Sequence, residues 1–171
     1  MKPYFPTALF AGFLSLILFS CDKIEEIANI KIGSTEQITI TTTLAPGDAI
    51  QETREIDLSE SSKVGPYLDR LKDAEITEAY YIIKSYDGNV EATGNLNLTI
   101  ESESFGPFQH NFASDAAAAK QTVLDADKLN IIANLLLTQN SFSISVNGSH
   151  TATESSQLVV EIFVTLALTT S

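Results

Sequence analysis

Alternation with a period of two runs through most of the chain, and that period belongs to strands, whose successive side chains point to opposite faces. From Glu36 to Leu44, residues Ile38, Ile40, Thr42 and Leu44 share one face while Thr39, Thr41 and Thr43 share the other. Ala45-Pro46-Gly47-Asp48 follows with turn composition, Pro presetting φ at the second position and Gly supplying positive φ at the third. Ile50 to Leu58 then places Ile50, Ile56 and Leu58 on one side, so these two segments are expected to form a hairpin with one wet face. Glu75 to Tyr86 carries Tyr80, Tyr81, Ile82 and Ile83, apolar on both faces, which predicts a central strand covered twice. Asp87-Gly88 suits a type I′ turn, and Val90 to Ile100 alternates strictly with Val90, Ala92, Gly94, Leu96, Leu98 and Ile100 inward. A second hairpin is expected there.

The remaining segments supply short helices and further strands. Gly65-Pro66 opens a short amphipathic helix with Val64, Leu68 and Leu71 at helical spacing. Glu101 to Pro107 is expected as a loop, and the alternation of Phe108, His110 and Phe112 as a short strand. Ala116 to Ala119 has high helix propensity, and Thr122 to Leu124 either breaks it as a short strand or continues it as one helix; the break is favoured. Asp125 or Asp127 caps a second helix whose buried stripe is Leu129, Ile132 and Leu136. Ser141 to Asn147 alternates, Asn147-Gly148 is expected to turn the chain, and Gln157 to Thr169 is apolar enough to be a second central strand. The sum is a mainly β domain: an antiparallel two-sheet β-sandwich, Ig-like or a related Greek key, of seven or eight strands with two short helices in its crossovers. A membrane β-barrel shares the alternation, but strands apolar on both faces such as Tyr80 to Ile83 conflict with a small barrel's polar contents.

The first residues follow a different rule. Met1-Lys2 is a short positive start, and Ala8 to Phe19 is a run of twelve mostly apolar residues, a secretory length and too short to span a bilayer. Leu18, Ser20 and Cys21 then stand where the leaders of bacterial lipoproteins carry an apolar residue, a small residue and the cysteine at the cleavage point; Phe19 is larger than that slot usually holds. The segment resembles such a leader. The resemblance implies that Cys21 carries a thioether-linked diacylglycerol and becomes the first mature residue, with its amine acylated as well in Gram-negative relatives. It divides the chain into a signal peptide at 1–20, a lipidated tether at 21–35 and the sandwich at 36–171. In style, though in no further motif, the whole is similar to small all-β lipoproteins of Gram-negative envelopes. That implies the cell envelope, at the outer membrane, facing the periplasm or the cell surface. Cys21 is the only cysteine, so no intrachain disulfide forms. Stable anchoring takes two or more acyl chains, at about 0.8 kcal/mol per buried CH₂.

Charge and composition narrow the chemistry. Twenty-two acids against ten bases give a net charge of −12, which disfavours nucleic acid as a partner, and no Gly-rich phosphate loop suggests a nucleotide. His110 and His150 are the only histidines and fall in separate strand regions, read as one strand and one loop residue. The sequence has no His-x-x-x-His, no cysteine pair and no Ca²⁺ loop, so no metal or other cofactor is expected. Asp125 and Asp127 suit a helix N-terminus better than a cation. Trp is absent, and Phe105 and Phe108, flanking Gly106-Pro107, are the candidate contact patch if their rings are exposed. The expectation is a lipid-anchored, non-catalytic envelope module with a protein or glycan partner, or a subunit assembling through an open sheet edge. The alternative is a small envelope hydrolase using paired carboxylates.

Overall fold

The structure is a computed structural model that describes residues 30–116, 121–122 and 125–170. The leader, Cys21 and Ala117 to Ala119 lie outside the described residues. Among the described residues there are eight strands: β1 (Lys31–Leu44), β2 (Ile50–Asp57), β3 (Leu71–Tyr86), β4 (Thr93–Ile100), β5 (Glu103–Asn111), β6 (Gln121–Thr122), β7 (Ser141–His150) and β8 (Ser156–Thr170). Two α-helices of the described residues interrupt them, α1 (Phe112–Asp115) and α2 (Ala126–Leu136). The strands form two antiparallel sheets, ordered β1-β8-β3-β6 and β2-β7-β4-β5. The expected mainly β sandwich is the fold.

Connectivity departs from the expected hairpins. β1 pairs with β8 and β2 with β7, so the turn at Ala45 to Asp48 carries the chain from one sheet to the other. β3 likewise pairs with β8 and β6, while β4 pairs with β5 and β7, so the Asp87-Gly88 segment also crosses between sheets. Strand length accounts for both corrections. β1, β3 and β8 have 14, 16 and 15 residues, and pairing β1 with the 8-residue β2, or β3 with the 8-residue β4, would leave half a strand's backbone groups without partners. The long strands instead satisfy one another, β1 matching β8 without a register shift from Lys31↔Thr169 to Leu44↔Ser156. The Asp87 turn is held by the other end of the chain: Asp87 N–H donates to Gln157 O at 3.2 Å and Asn89 N–H to Glu154 Oε1 at 3.0 Å. Val90 consequently sits outside the strand and is half exposed.

Four local expectations also change. β1 begins at Lys31, so five residues assigned to the tether are strand. Gly65–Arg70 is a 3-10 helix rather than an α-helix, with Pro66 in its first turn and Val64 fully buried before it; Leu71 already opens β3. Glu101 to Pro107 is mostly strand, because Glu101 and Ser102 alone close the β4–β5 hairpin. Glu101 takes φ +53° there, held by its N–H to Ser143 O at 2.9 Å and by its carboxylate accepting from Ser143 N at 2.6 Å. Asn147-Gly148 does not turn the chain. β7 runs through it to His150, and Gly148 is small because a Cβ would strike Asn95 O on β4.

The core lies between the inner faces. On β8, Leu158, Val160, Ile162, Val164, Leu166 and Leu168 are each at most 1% exposed, each burial contributing about 1.5–3 kcal/mol. Val159 and Phe163 face outward and are half-buried, with Phe163 stacked on Tyr80 at 4.8 Å. Asp125 caps α2, its carboxylate accepting from Lys128 N at 3.2 Å, and Leu129, Ile132, Ala133 and Leu136 form the buried stripe that lies against β3. The favoured break before this helix agrees with β6 at Gln121–Thr122.

Candidate functional site

His110 and His150, far apart in sequence, meet at one end of the second sheet. Gly94 of β4 pairs with His110 of β5 on one side and with His150 of β7 on the other, which puts both imidazoles on its inner face. Gly94 has no room for a side chain, since a Cβ would meet Ser149 O and the ring of Phe112. Phe112 is fully buried because α1 folds it back over this position.

His110 belongs to a three-residue chain of hydrogen bonds. Asp115 Oδ2 lies 2.9 Å from His110 Nδ1, and a carboxylate only accepts, so Nδ1 carries the proton. In the neutral imidazole Nε2 is then the acceptor, and the Tyr81 hydroxyl, 2.6 Å away, donates to it. Asn111 N–H also donates to Asp115 Oδ2 at 3.2 Å, and the Asn111 side chain caps α1 by accepting from Ser114 N. Tyr81 stands on β3 and His110 on β5, so the chain bridges the two sheets. Burial first, and the Asp115 charge second, push the Tyr81 phenol well above its ordinary value, which keeps it neutral. His150 differs: its Nδ1 accepts from Ala152 N at 3.1 Å, while Nε2 is enclosed without a partner among the described residues.

The same sheet end holds an open depression of about 650 Å³ lined by residues of both faces. Thr93 and Asn95 from β4, Gln109 and Asn111 from β5, and Ser149 and Thr151 line it, together with Gly94, the two histidines and Asp115. Asn95 is paired with both Gln109 and Ser149, so amides and hydroxyls stand side by side on three strands. The pattern continues through Asn97, Asn147, Ser145 and Thr53, with Thr53 Oγ1 2.7 Å from Ser145 Oγ. This surface offers donors and acceptors with little formal charge.

The expected contact patch at Phe105 and Phe108 does not form. Phe105 is 5% exposed, because β5 carries it into the core opposite Leu98, and the Lys128 ammonium lies 5.3 Å from its ring centroid. Phe108 is half-buried, tilted against Tyr81 at 5.7 Å. Among the described residues no three His, Cys, Asp or Glu side chains cluster in a way that could hold a metal ion. Asp57 caps the 3-10 turn that follows β2, and hydrogen bonds from Ser59 hold its carboxyl below the usual value. The histidine meeting and the polar face escaped the sequence because both depend on which strands pair. The one available signal was Gly94 within a strict alternation, a mark of close approach. No family model matches the chain, and the search of curated proteins finds none that matches it.

Proposed function

We propose that this chain is a lipid-anchored, non-catalytic protein of the cell envelope, a β-sandwich that binds a protein or glycan through the amide- and hydroxyl-lined outer face of its second sheet. The observation that carries the reading is how the Tyr81–His110–Asp115 chain is used. Both imidazole nitrogens of His110 are bonded, the phenol is neutral and buried, and the three groups join the two sheets, with His110 and Asp115 reaching the wall of the depression. The polar depression favours an uncharged, hydrogen-bonding partner, and a net charge of −12 repels polyanions. Cys21 precedes Ile30, the first described residue, by nine positions, so an acyl anchor there would hold the sandwich within about 30 Å of the lipid surface at ~3.5 Å per residue. Such a protein would sit at the outer membrane, facing the periplasm or the cell surface.

The anchor is tested by metabolic labelling with a palmitate analogue and by fractionation. The parent should take up label and remain with membranes in high salt, and Cys21→Ala should lose both. A Cys21→Ala variant that stays as firmly bound would remove the anchor. The binding face is tested on an array of neutral and anionic glycans with Asn95→Ala/Gln109→Ala as the comparison; equal binding by parent and variant would rule the depression out.

A further inference from the structure

The four outer strands of the two sheets are protected unequally. β2 carries Glu52, Arg54 and Glu55, β5 contains Pro107 and a register shift against β4, and β6 has two residues. Charges, proline, irregularity and shortness are the usual ways an edge is closed to further pairing. β1 has neither proline, irregularity nor shortness, and of its two charges, Lys31 and Glu36, only Lys31 belongs to the odd-numbered set that turns its backbone to the open edge. It is 14 residues long, lacks proline, pairs among the described residues with β8 alone and holds one unbroken register.

The direction of its backbone groups follows from one bond. Thr170 N–H donates to Ile30 O at 3.1 Å, which makes Ile30 and Thr170 a hydrogen-bonded pair. In an antiparallel ladder such pairs recur at every second residue, so the even-numbered residues of β1 turn their N–H and C=O toward β8. The odd-numbered residues from Lys31 to Thr43 turn theirs to the open edge, and every one of them is exposed.

We infer that β1 is a self-association edge, pairing antiparallel with β1 of a second copy of this chain about a two-fold axis at Gln37. That centre sets Lys31 opposite Thr43, Gly33 opposite Thr41, Thr35 opposite Thr39, and Gln37 opposite itself. It uses every outward backbone group, giving roughly fourteen new hydrogen bonds at two per pair. No like charges face each other directly, Thr meets Thr, and the Gln37 amides can bond each other. On the inner face the register brings Ile30, an exposed large hydrophobic, opposite Leu44. The product is one continuous sheet shared by two sandwiches, an isologous interface. Net charge opposes it, with −12 on each copy, and Glu36 lies diagonal to its own counterpart. Association should therefore tighten as salt rises, because the screening length falls from about 30 Å at 0.01 M to about 8 Å at 0.15 M. This inference stands apart from the lipid anchor and from the polar face.

The test uses the full chain. Sedimentation equilibrium should give a monomer–dimer equilibrium that tightens with salt. Thr39→Pro removes an outward N–H from each copy and should weaken the dimer at least ~10-fold. Gln37→Lys, which sets two ammonium groups opposite each other at an exposed position, should do the same with unchanged circular dichroism and melting, so a folding defect in the proline variant would not obscure the result. The register is read separately in a Cys21→Ala background. Gln37→Cys should cross-link readily under mild oxidation, since paired Cα atoms about 5.5 Å apart suit a disulfide. Thr35→Cys, displaced from its own copy, should not. A chain that stays monomeric, a dimer insensitive to both edge variants, or equal cross-linking at 35 and 37 would overturn the inference.

Discussion

Replacing Tyr81 by Phe removes one oxygen atom and tests what the Tyr81–His110–Asp115 chain does. The ring keeps its packing, tilted against Phe108 and edge-on to His110, both at 5.7 Å between centroids. What is lost is the 2.6 Å bond to His110 Nε2. His110 has a side chain only 9% exposed, so its acceptor would be left without a partner in a place water barely reaches. A lost bond with a stranded buried partner costs about 1–3 kcal/mol, and the enclosed site argues for ~2 kcal/mol, visible as a lower urea midpoint at constant slope. The pH dependence gives a second reading. The unfolded chain releases the phenol proton near pH 10, whereas the folded pKa is raised, so above pH 10 the unfolded state binds fewer protons and stability falls. The contribution is fully present below pH 10 and disappears as pH climbs above it. Tyr81→Phe should flatten that alkaline decline while lowering stability at neutral pH. A variant within ~0.3 kcal/mol of the parent at pH 7, with the same alkaline slope, would refute a stabilising bridge between the sheets.

Three smaller perturbations probe the scaffold. Asp125→Ala should cost about 1 kcal/mol in urea unfolding, because the carboxylate that accepts from Lys128 N is removed, and Asp125→Ser should recover most of it. Gly148→Ala should destabilise by more than ~1–3 kcal/mol, since its Cβ meets the Asn95 backbone carbonyl across the ladder rather than a movable side chain; an unchanged melting temperature would contradict that packing. Ile162→Ala, at a fully buried position in one of the two central strands of the first sheet, should cost about 2–5 kcal/mol, and a loss under ~1 kcal/mol would mean the two sheets close over the gap.

Much of the inner face was legible in the sequence. Alternation marks Leu96, Leu98 and Ile100 on β4 and the six apolar positions of β8, and these are buried. The α2 cap and stripe were legible too, because capping and helical spacing are local properties. Pairing was not. Ala45-Pro46-Gly47-Asp48 and Asp87-Gly88 have the composition of hairpin turns, and a chain bend that crosses between sheets requires the same residues. What separates the two outcomes is whether the flanking strands have equal lengths. The ends of β1 and β3 are set by partners more than seventy residues away on β8, so the relevant length is a property of the pair. The site inherited the same limit. His110 and His150 come together through Gly94, a residue whose only visible mark is the lack of a side chain. Phe105 falls in the segment expected as a loop and Phe108 just beyond Gly106-Pro107, yet one strand carries both, because β5 absorbs the extra residue in the register shift between Leu96 and Leu98.

That same dependence on pairing gives β1 and the polar face their different standing. The face is written residue by residue, with Ser149, Asn147 and Ser145 on β7 beside Asn95, Asn97 and Thr99 on β4, and a substitution alters it locally. The β1 edge is written in backbone groups whose direction is fixed by the ladder with β8. Side-chain changes along its outer face should therefore leave those backbone groups in place, unless they bring like charges together as Gln37→Lys does, while loss of a single outward N–H at Thr39 acts directly. A Thr39→Ala variant that dissociates as readily as Thr39→Pro would mean that the hydroxyl, not the backbone, makes the contact.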